Sequence, residues 1–200
     1  MVKKLKSKIK TKKPAKVVEN DEPTTLHKQL KRSSIAAIIY AALILPMLMI
    51  APIATQTVWL KITTIILVVI TTMLFICMMR SFCELTIKWK FKFAKIMTRA
   101  MIILAIVLGI YNITMIFVRL SSNLLPMILS WLTGIVFVMF GIGLFRMKRK
   151  AGNLIKALSI IFIISGVFNA SLVLLILTPS LVISTTVIQA VLFHDLAKKY

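Results

Sequence analysis

Apolar and polar positions along this chain come in long blocks rather than in the short periods of a soluble fold. Six apolar blocks fall at residues 34–54, 58–79, 100–118, 124–145, 157–177 and 181–196. Most are close to the roughly 20 residues that a helix needs to cross a bilayer core about 30 Å thick, at about 1.5 Å per residue. The pattern predicts an all-α integral membrane protein with six transmembrane helices. The connectors alternate in character. "TQT", "RLSSN" and "TPS" are very short, whereas residues 80–99 and 146–156 are longer and basic. Three hairpins are therefore expected.

Residues 1–33 are polar and are expected to be a disordered tail. Eight lysines fall in the first sixteen residues, and Glu19, Asp21 and Glu22 follow as an acidic linker. Low hydropathy with high charge cannot bury enough surface to fold alone. "TTLHKQLKRSS" is expected to begin coiling into the first span, which Pro46 and Pro52 should kink.

Charge adds an orientation. The chain has 26 lysines and arginines against five acids, a net charge of +21. Twenty-four of the 26 lie in the tail, the two basic connectors and the C-terminal end. Basic residues are retained on the cytoplasmic side of a membrane. This bias predicts a multi-pass protein of the cell (inner) membrane with both termini in the cytoplasm. Lys61 and Arg119 fall on the other side, near span ends. They are expected to snorkel to headgroups, helped by Trp59. Composition agrees: 60% of residues are hydrophobic and 16% charged, with mean hydropathy +0.97. A soluble domain is nearer half apolar and about a quarter charged.

The connector after the second span interleaves lysines with aromatics. In extended form Leu85, Ile87, Trp89, Phe91 and Phe93 would face one way. As a helix, Trp89, Phe93, Ile96 and Ala100 form one stripe, and Lys88, Lys92, Lys95 and Arg99 an adjacent one. The helical spacing runs on into the third span, which favours it. In either form Lys88, Trp89, Lys90 and Lys92 are expected to contact the anionic headgroups of the bilayer. An RNA-stacking platform is the weaker reading, and a nucleic-acid partner is not expected.

An internal repeat is visible. "RAMIILAIVLGIYNITM" (residues 99–115) aligns without gaps on "KALSIIFIISGVFNASL" (residues 156–172). Gly109-x-x-Asn112 matches Gly166-x-x-Asn169. The alignment predicts that hairpins 2 and 3 are tandem copies, with the first hairpin a weaker third. Gly and Asn three apart share a helix face. Such a pair favours close helix packing, here expected between spans three and five, or else lines a polar path.

Reactive groups are sparse. No carboxylate lies inside the spans apart from Asp195 at the end of the last, so paired-acid chemistry has no candidates. Cys77 and Cys83, six apart, would point about 120° from each other on a helix. They are expected to be reduced and to pack. His27 belongs to the tail, and His194-Asp195 reads as a surface pair. Ser130, Ser165, Ser171 and Ser184 are expected to bond to carbonyls of their own helices. No catalytic residue, metal or cofactor is expected. In hairpin count and recurrent glycine the layout resembles small six-span bacterial proteins built from repeated hairpins, such as the HdeD acid-resistance family. No residue roles are carried over from it. The leading expectation is a non-enzymatic scaffold, accessory or immunity-type protein with a membrane-protein partner. The alternative is a small-solute transporter or its membrane substrate-binding subunit. For that reading "AIIYA" at Ala37 offers a small-xxx-small contact face.

Overall fold

The computed structural model describes residues 25–50, 53, 57–118, 124–148, 152–171 and 178–200. Among these, the regular structure is six α-helices: α1 (Thr25–Ile50), α2 (Val58–Lys88), α3 (Lys92–Phe117), α4 (Leu124–Arg146), α5 (Asn153–Ser171) and α6 (Thr178–Lys199). All six contain a segment long and apolar enough to cross a membrane. Their outward side chains are apolar, for example Ile38, Ile66, Ile103, Ile110 and Trp131. In lipid that is the low-energy surface. The chain has the architecture of a multi-pass membrane protein.

Hydroxyls inside the helices are satisfied locally. Thr63, Thr64, Thr71, Thr98, Thr114, Thr133, Thr185 and Thr186 each donate to the carbonyl four residues earlier. This back-bonding lets polar residues sit in an apolar helix without an orphaned donor. Thr57 caps α2, its side chain accepting from the Leu60 N–H at 3.3 Å.

The helices start and stop away from the expected points. α1 begins at Thr25, within the stretch expected to start coiling and ahead of the apolar block at Ser34, and both Leu30 and Ser33 are fully buried. Pro46 lies inside α1; Pro52, like residues 1–24, lies outside the described residues. The basic connector expected over residues 80–99 is almost all helix. α2 continues to Lys88 and α3 starts at Lys92. The helical reading of that stretch holds, but a turn divides it. Trp89 ends α2, and Lys90 takes φ +60°. The Phe91 N–H donates to the Thr86 carbonyl at 2.9 Å and the Lys90 N–H to the Ile87 carbonyl at 3.1 Å. These two bonds are a Schellman motif, with lysine where glycine usually stands. Because α2 is longer than expected, half-buried Glu84 lies on a helix rather than in a loop.

The helices close into a ring in chain order, with α6 returning to α1. The most extensive contacts are α4–α5 and α1–α6, while α3–α4 and α5–α6 touch least. The partners expected from the shortest connectors are thus not the tightest pairs. Neighbours run antiparallel. Ser33 meets Ser81 and Met47 meets Thr71 across α1/α2; His27 meets Ala197 and Ser34 meets Ala190 across α1/α6.

One end of the ring is solid. Phe82 packs against Phe193 at 4.8 Å and edge-on to Phe140 at 5.8 Å, and Phe140 meets Phe162 edge-on at 4.9 Å. Leu30, Met78, Met79, Leu85, Leu144, Ile155 and Leu158 fill the gaps with no exposure. Helix termini gather around this end. The Trp89 indole N–H donates to the Tyr200 hydroxyl at 2.8 Å, the Lys88 ammonium lies 3.5 Å over the Tyr200 ring, and the Arg146 guanidinium lies 5.1 Å over Phe93. This is the basic end.

Candidate functional site

Toward the opposite end the ring loosens. On every helix the sequence order is the same: residues facing the loose half lie farther from the basic end than those of the solid core. A cavity of about 180 Å³ opens there between Tyr40 and Met47 of α1, Thr71, Thr72 and Phe75 of α2, and Leu104 to Asn112 of α3. A second compartment of about 70 Å³ lies on the other side of Tyr40, Phe75 and Phe137. It is lined also by Phe162 and Ser165 of α5 and by Val182, Thr185, Thr186 and Gln189 of α6. Between them the two compartments take side chains from all six helices.

The lining is apolar with a few neutral polar groups. Tyr40 and Phe75 contact at 6.0 Å, and Phe137 meets Phe162 edge-on at 5.6 Å. Thr71, Thr185 and Thr186 spend their hydroxyl hydrogens on their own helices. Gln189 is 2% exposed and Ser165 1%. The Ser165 hydroxyl has no partner, and the Gln189 amide makes no hydrogen bond among the described residues. An apolar helix does not need a glutamine there, and an unpaired buried polar group costs about 1–3 kcal/mol.

The two Gly-x-x-Asn segments end up in different places. Gly109 is buried against α2, where a Cβ would come 2.9 Å from the Thr72 hydroxyl oxygen. Asn112, one turn on, is exposed at the rim of the larger compartment. Gly166 packs on α4: a Cβ there would lie 2.5 Å from the Gly134 carbonyl oxygen. Asn169 is buried and donates to the Ser165 carbonyl at 3.0 Å, while its own carbonyl accepts from Ser130 Oγ at 2.9 Å. The contact expected between spans three and five does not form, because the ring places α4 between them. Each segment packs on the helix that precedes it in the chain.

The serines divide likewise. Ser171 and Ser184 donate to carbonyls of their own helices, at 3.0 and 2.9 Å, as expected. Ser130 instead bridges to α5, and the Ser165 hydroxyl has no partner among the described residues. Of the residues assigned to headgroups, Lys88, Lys90 and Lys92 are exposed at the basic end. Trp89 is half-buried and turned onto Tyr200. Lys61 lies half-exposed near the start of α2, close to Trp59, which is 80% exposed. Arg119 lies outside the described residues. Cys77 and Cys83 are free thiols. Ala37 is wholly buried inside the ring.

Sequence reasoning passed over Tyr40, Thr72 and Gln189. A signal existed for the last: it is the one glutamine inside an apolar block. No protein-family model, no curated protein and no solved structure matches this chain.

Proposed function

We propose that this multi-pass membrane protein binds a small solute inside its helix ring, as a transporter or the membrane substrate-binding subunit of one does. The supporting observation is the divided cavity. Neutral polar groups from separate helices converge in it, and the packed phenylalanines close it toward the basic end. Clefts between helices that are mostly apolar, with a few placed polar groups, are the usual form of small-molecule sites. The chain acts as a binding protein and not as an enzyme. The basic end faces the cytoplasm and anionic headgroups, with both termini on the cytoplasmic side of the cell membrane, so the cavity loads from outside.

The test is native mass spectrometry of the full chain in mild detergent, with a metabolite screen by melting temperature. A retained small molecule, or a metabolite that raises the melting temperature with concentration, is the expected result. If nothing is retained and nothing shifts the transition, the reading is wrong. Labelling of Trp59→Cys from outside intact cells checks the orientation.

A second reading, a scaffold or immunity-type partner, draws on the outside of α4/α5. An apolar groove of about 430 Å³ runs there past Ile135, Val138, Met139 and Val167. A specific membrane-protein partner co-purifying with the chain, and lost on Val138→Trp, would favour that role.

A further inference from the structure

The larger compartment limits the size of the solute and sets which way round it sits. This step rests on the solute-binding reading above. A cavity of about 150 Å³ holds one benzene ring. The larger compartment, at about 180 Å³, therefore holds one six-membered ring with one or two further atoms. The smaller one, at about 70 Å³, has room for about two waters and not for a ring.

The free polar groups of the larger compartment gather in its outer half. Thr64, Thr71 and Thr98 donate to their own helices, but Thr72 makes no hydrogen bond among the described residues. Its hydroxyl is turned to α3, where a Cβ on Gly109 would come 2.9 Å from Oγ1. Asn112 lies one turn farther from the basic end, on the face of Gly109, and its amide is also unbonded among the described residues. Nearer the basic end the wall is apolar: Phe75, Met101, Leu104 and Phe137.

The Tyr40 hydroxyl is a third unbonded group. Tyr40 lines both compartments. The contacts Ser33–Ser81 and Met47–Thr71 set its Cα level with the inner wall at Phe75. Side chains on a helix lean toward its N-terminus, which for α1 is the basic end, so Tyr40 leans away from Asn112. Its ring joins those of Phe75 and Phe137, which pack best on another flat ring. A hydroxyl and an amide left free at the outer level suit a guest whose hydrogen-bonding group sits there. We infer that the larger compartment takes a single-ring amphiphile, with its one polar group outward on Thr72 and Asn112 and its apolar end inward on Phe75, Met101 and Phe137.

The experiment is titration calorimetry on the full chain in one detergent with p-cresol and p-xylene. The two probes match in size and differ by a hydroxyl in place of a methyl group. Ala105→Phe, which fills the compartment, measures partition into the micelle. p-Cresol should bind saturably, one per chain, and Ala105→Phe should abolish that binding. Thr72→Val, close in volume, and Asn112→Leu should each weaken p-cresol roughly fivefold, while the affinity for p-xylene holds or rises. Tyr40→Phe should leave p-cresol within about twofold of wild type. Ala105→Leu serves if the Phe variant does not fold.

Four results overturn the inference and leave solute binding standing. If p-xylene loses as much as p-cresol in Thr72→Val and Asn112→Leu, those groups do not read the hydroxyl. If Tyr40→Phe costs p-cresol as much as Thr72→Val does, the polar end lies inward. If filling at Ala105 leaves p-cresol binding intact, the guest sits elsewhere. If p-cresol does not bind and the purified chain retains a molecule without a ring, or with several, the class is wrong and the site is right. If neither probe binds and nothing is retained, the inference and the solute-binding reading fall together.

Discussion

The α4/α5 pair and the α2/α3 pair carry the same Gly-x-x-Asn spacing but are held together by different means. α4 and α5 meet backbone to backbone. A Cβ on Gly134 would stand 2.5 Å from the Gly166 carbonyl oxygen and 2.7 Å from the Ala170 nitrogen, and one on Gly141 would stand 2.8 Å from the Ser159 carbonyl oxygen. Gly134 and Gly141 are seven apart on α4, as are Ser159 and Gly166 on α5, so each helix offers one small-residue stripe. α2 and α3 touch through side chains: the atoms nearest Gly109 are those of Thr72. The turn at Trp89–Phe91 also joins that pair directly. In lipid no hydrophobic force presses helices together, so a pair needs close small-residue packing or a short tether. The chain uses one device for each pair.

The largest effect should come from breaking the glycine stripe. Gly134→Val puts a branched side chain against backbone atoms that cannot rotate away. The two helices must separate, at a cost on the order of 3 kcal/mol. A thermal or denaturant transition in mixed micelles should fall accordingly. An unchanged transition would mean that the stripe does not hold α4 to α5. Gly134 and Gly166 touch each other, so their double variant should cost less than the two single costs together.

Next in size is the contrast between the asparagines. Asn169 is buried and its side-chain amide donates to the Ser165 carbonyl, so Asn169→Leu, which loses that bond while the backbone bond from Ser130 remains, should cost about 1–2 kcal/mol. Asn112 is exposed and makes no hydrogen bond among the described residues. Asn112→Leu should stay within about 0.5 kcal/mol of wild type in stability. Equal losses at the two positions would show that the two segments do the same structural job after all.

This contrast marks how far the sequence could be read. Six spans were legible, because twenty-residue apolar blocks have few other uses. The Gly-x-x-Asn spacing was legible as packing, but its partner was not. A motif fixes which face of a helix is small; the order of helices around the ring fixes what that face meets. The length of α2 was hidden because Arg80, Glu84 and Lys88 read as loop residues, yet each can sit on the last turns of a helix that leaves the apolar layer. The cavity was least legible. Tyr40, Phe75, Ser165 and Gln189 come from four helices, and no periodicity within one helix brings them together. Only the isolated glutamine in an apolar block pointed there.

A smaller effect tests the weaker pair directly. Gly109→Ala brings a Cβ within 2.9 Å of Thr72 Oγ1, a side-chain atom that can shift. Replacing glycine by alanine in a helix also gains about 1 kcal/mol of propensity. The two terms nearly offset, so stability should remain within about 1 kcal/mol of wild type. Adding Thr72→Ala should turn the balance to a net gain. A loss as large as that of Gly134→Val would place a backbone seam in α2/α3 as well, and the distinction between the pairs would disappear.

The smallest predicted change concerns the tether. Lys90 holds φ +60°, a left-handed conformation that costs a residue with a Cβ about 1–2 kcal/mol. Glycine removes that cost but brings about 0.5–1 kcal/mol of extra chain entropy in the unfolded state. Lys90→Gly should therefore stabilise the protein by roughly 0.5 kcal/mol, seen as a small rise in melting temperature. Lys90→Val, whose branched side chain fits that conformation worst, should lower it. If the tether aligns α2 with α3, the valine variant should also loosen the Thr72–Gly109 contact, detectable as faster labelling of Thr72→Cys. The α4/α5 seam has no share in that turn, and labelling of Ser159→Cys should not change. Parallel changes at both positions would mean that the ring loosens as one unit, whichever pair is disturbed.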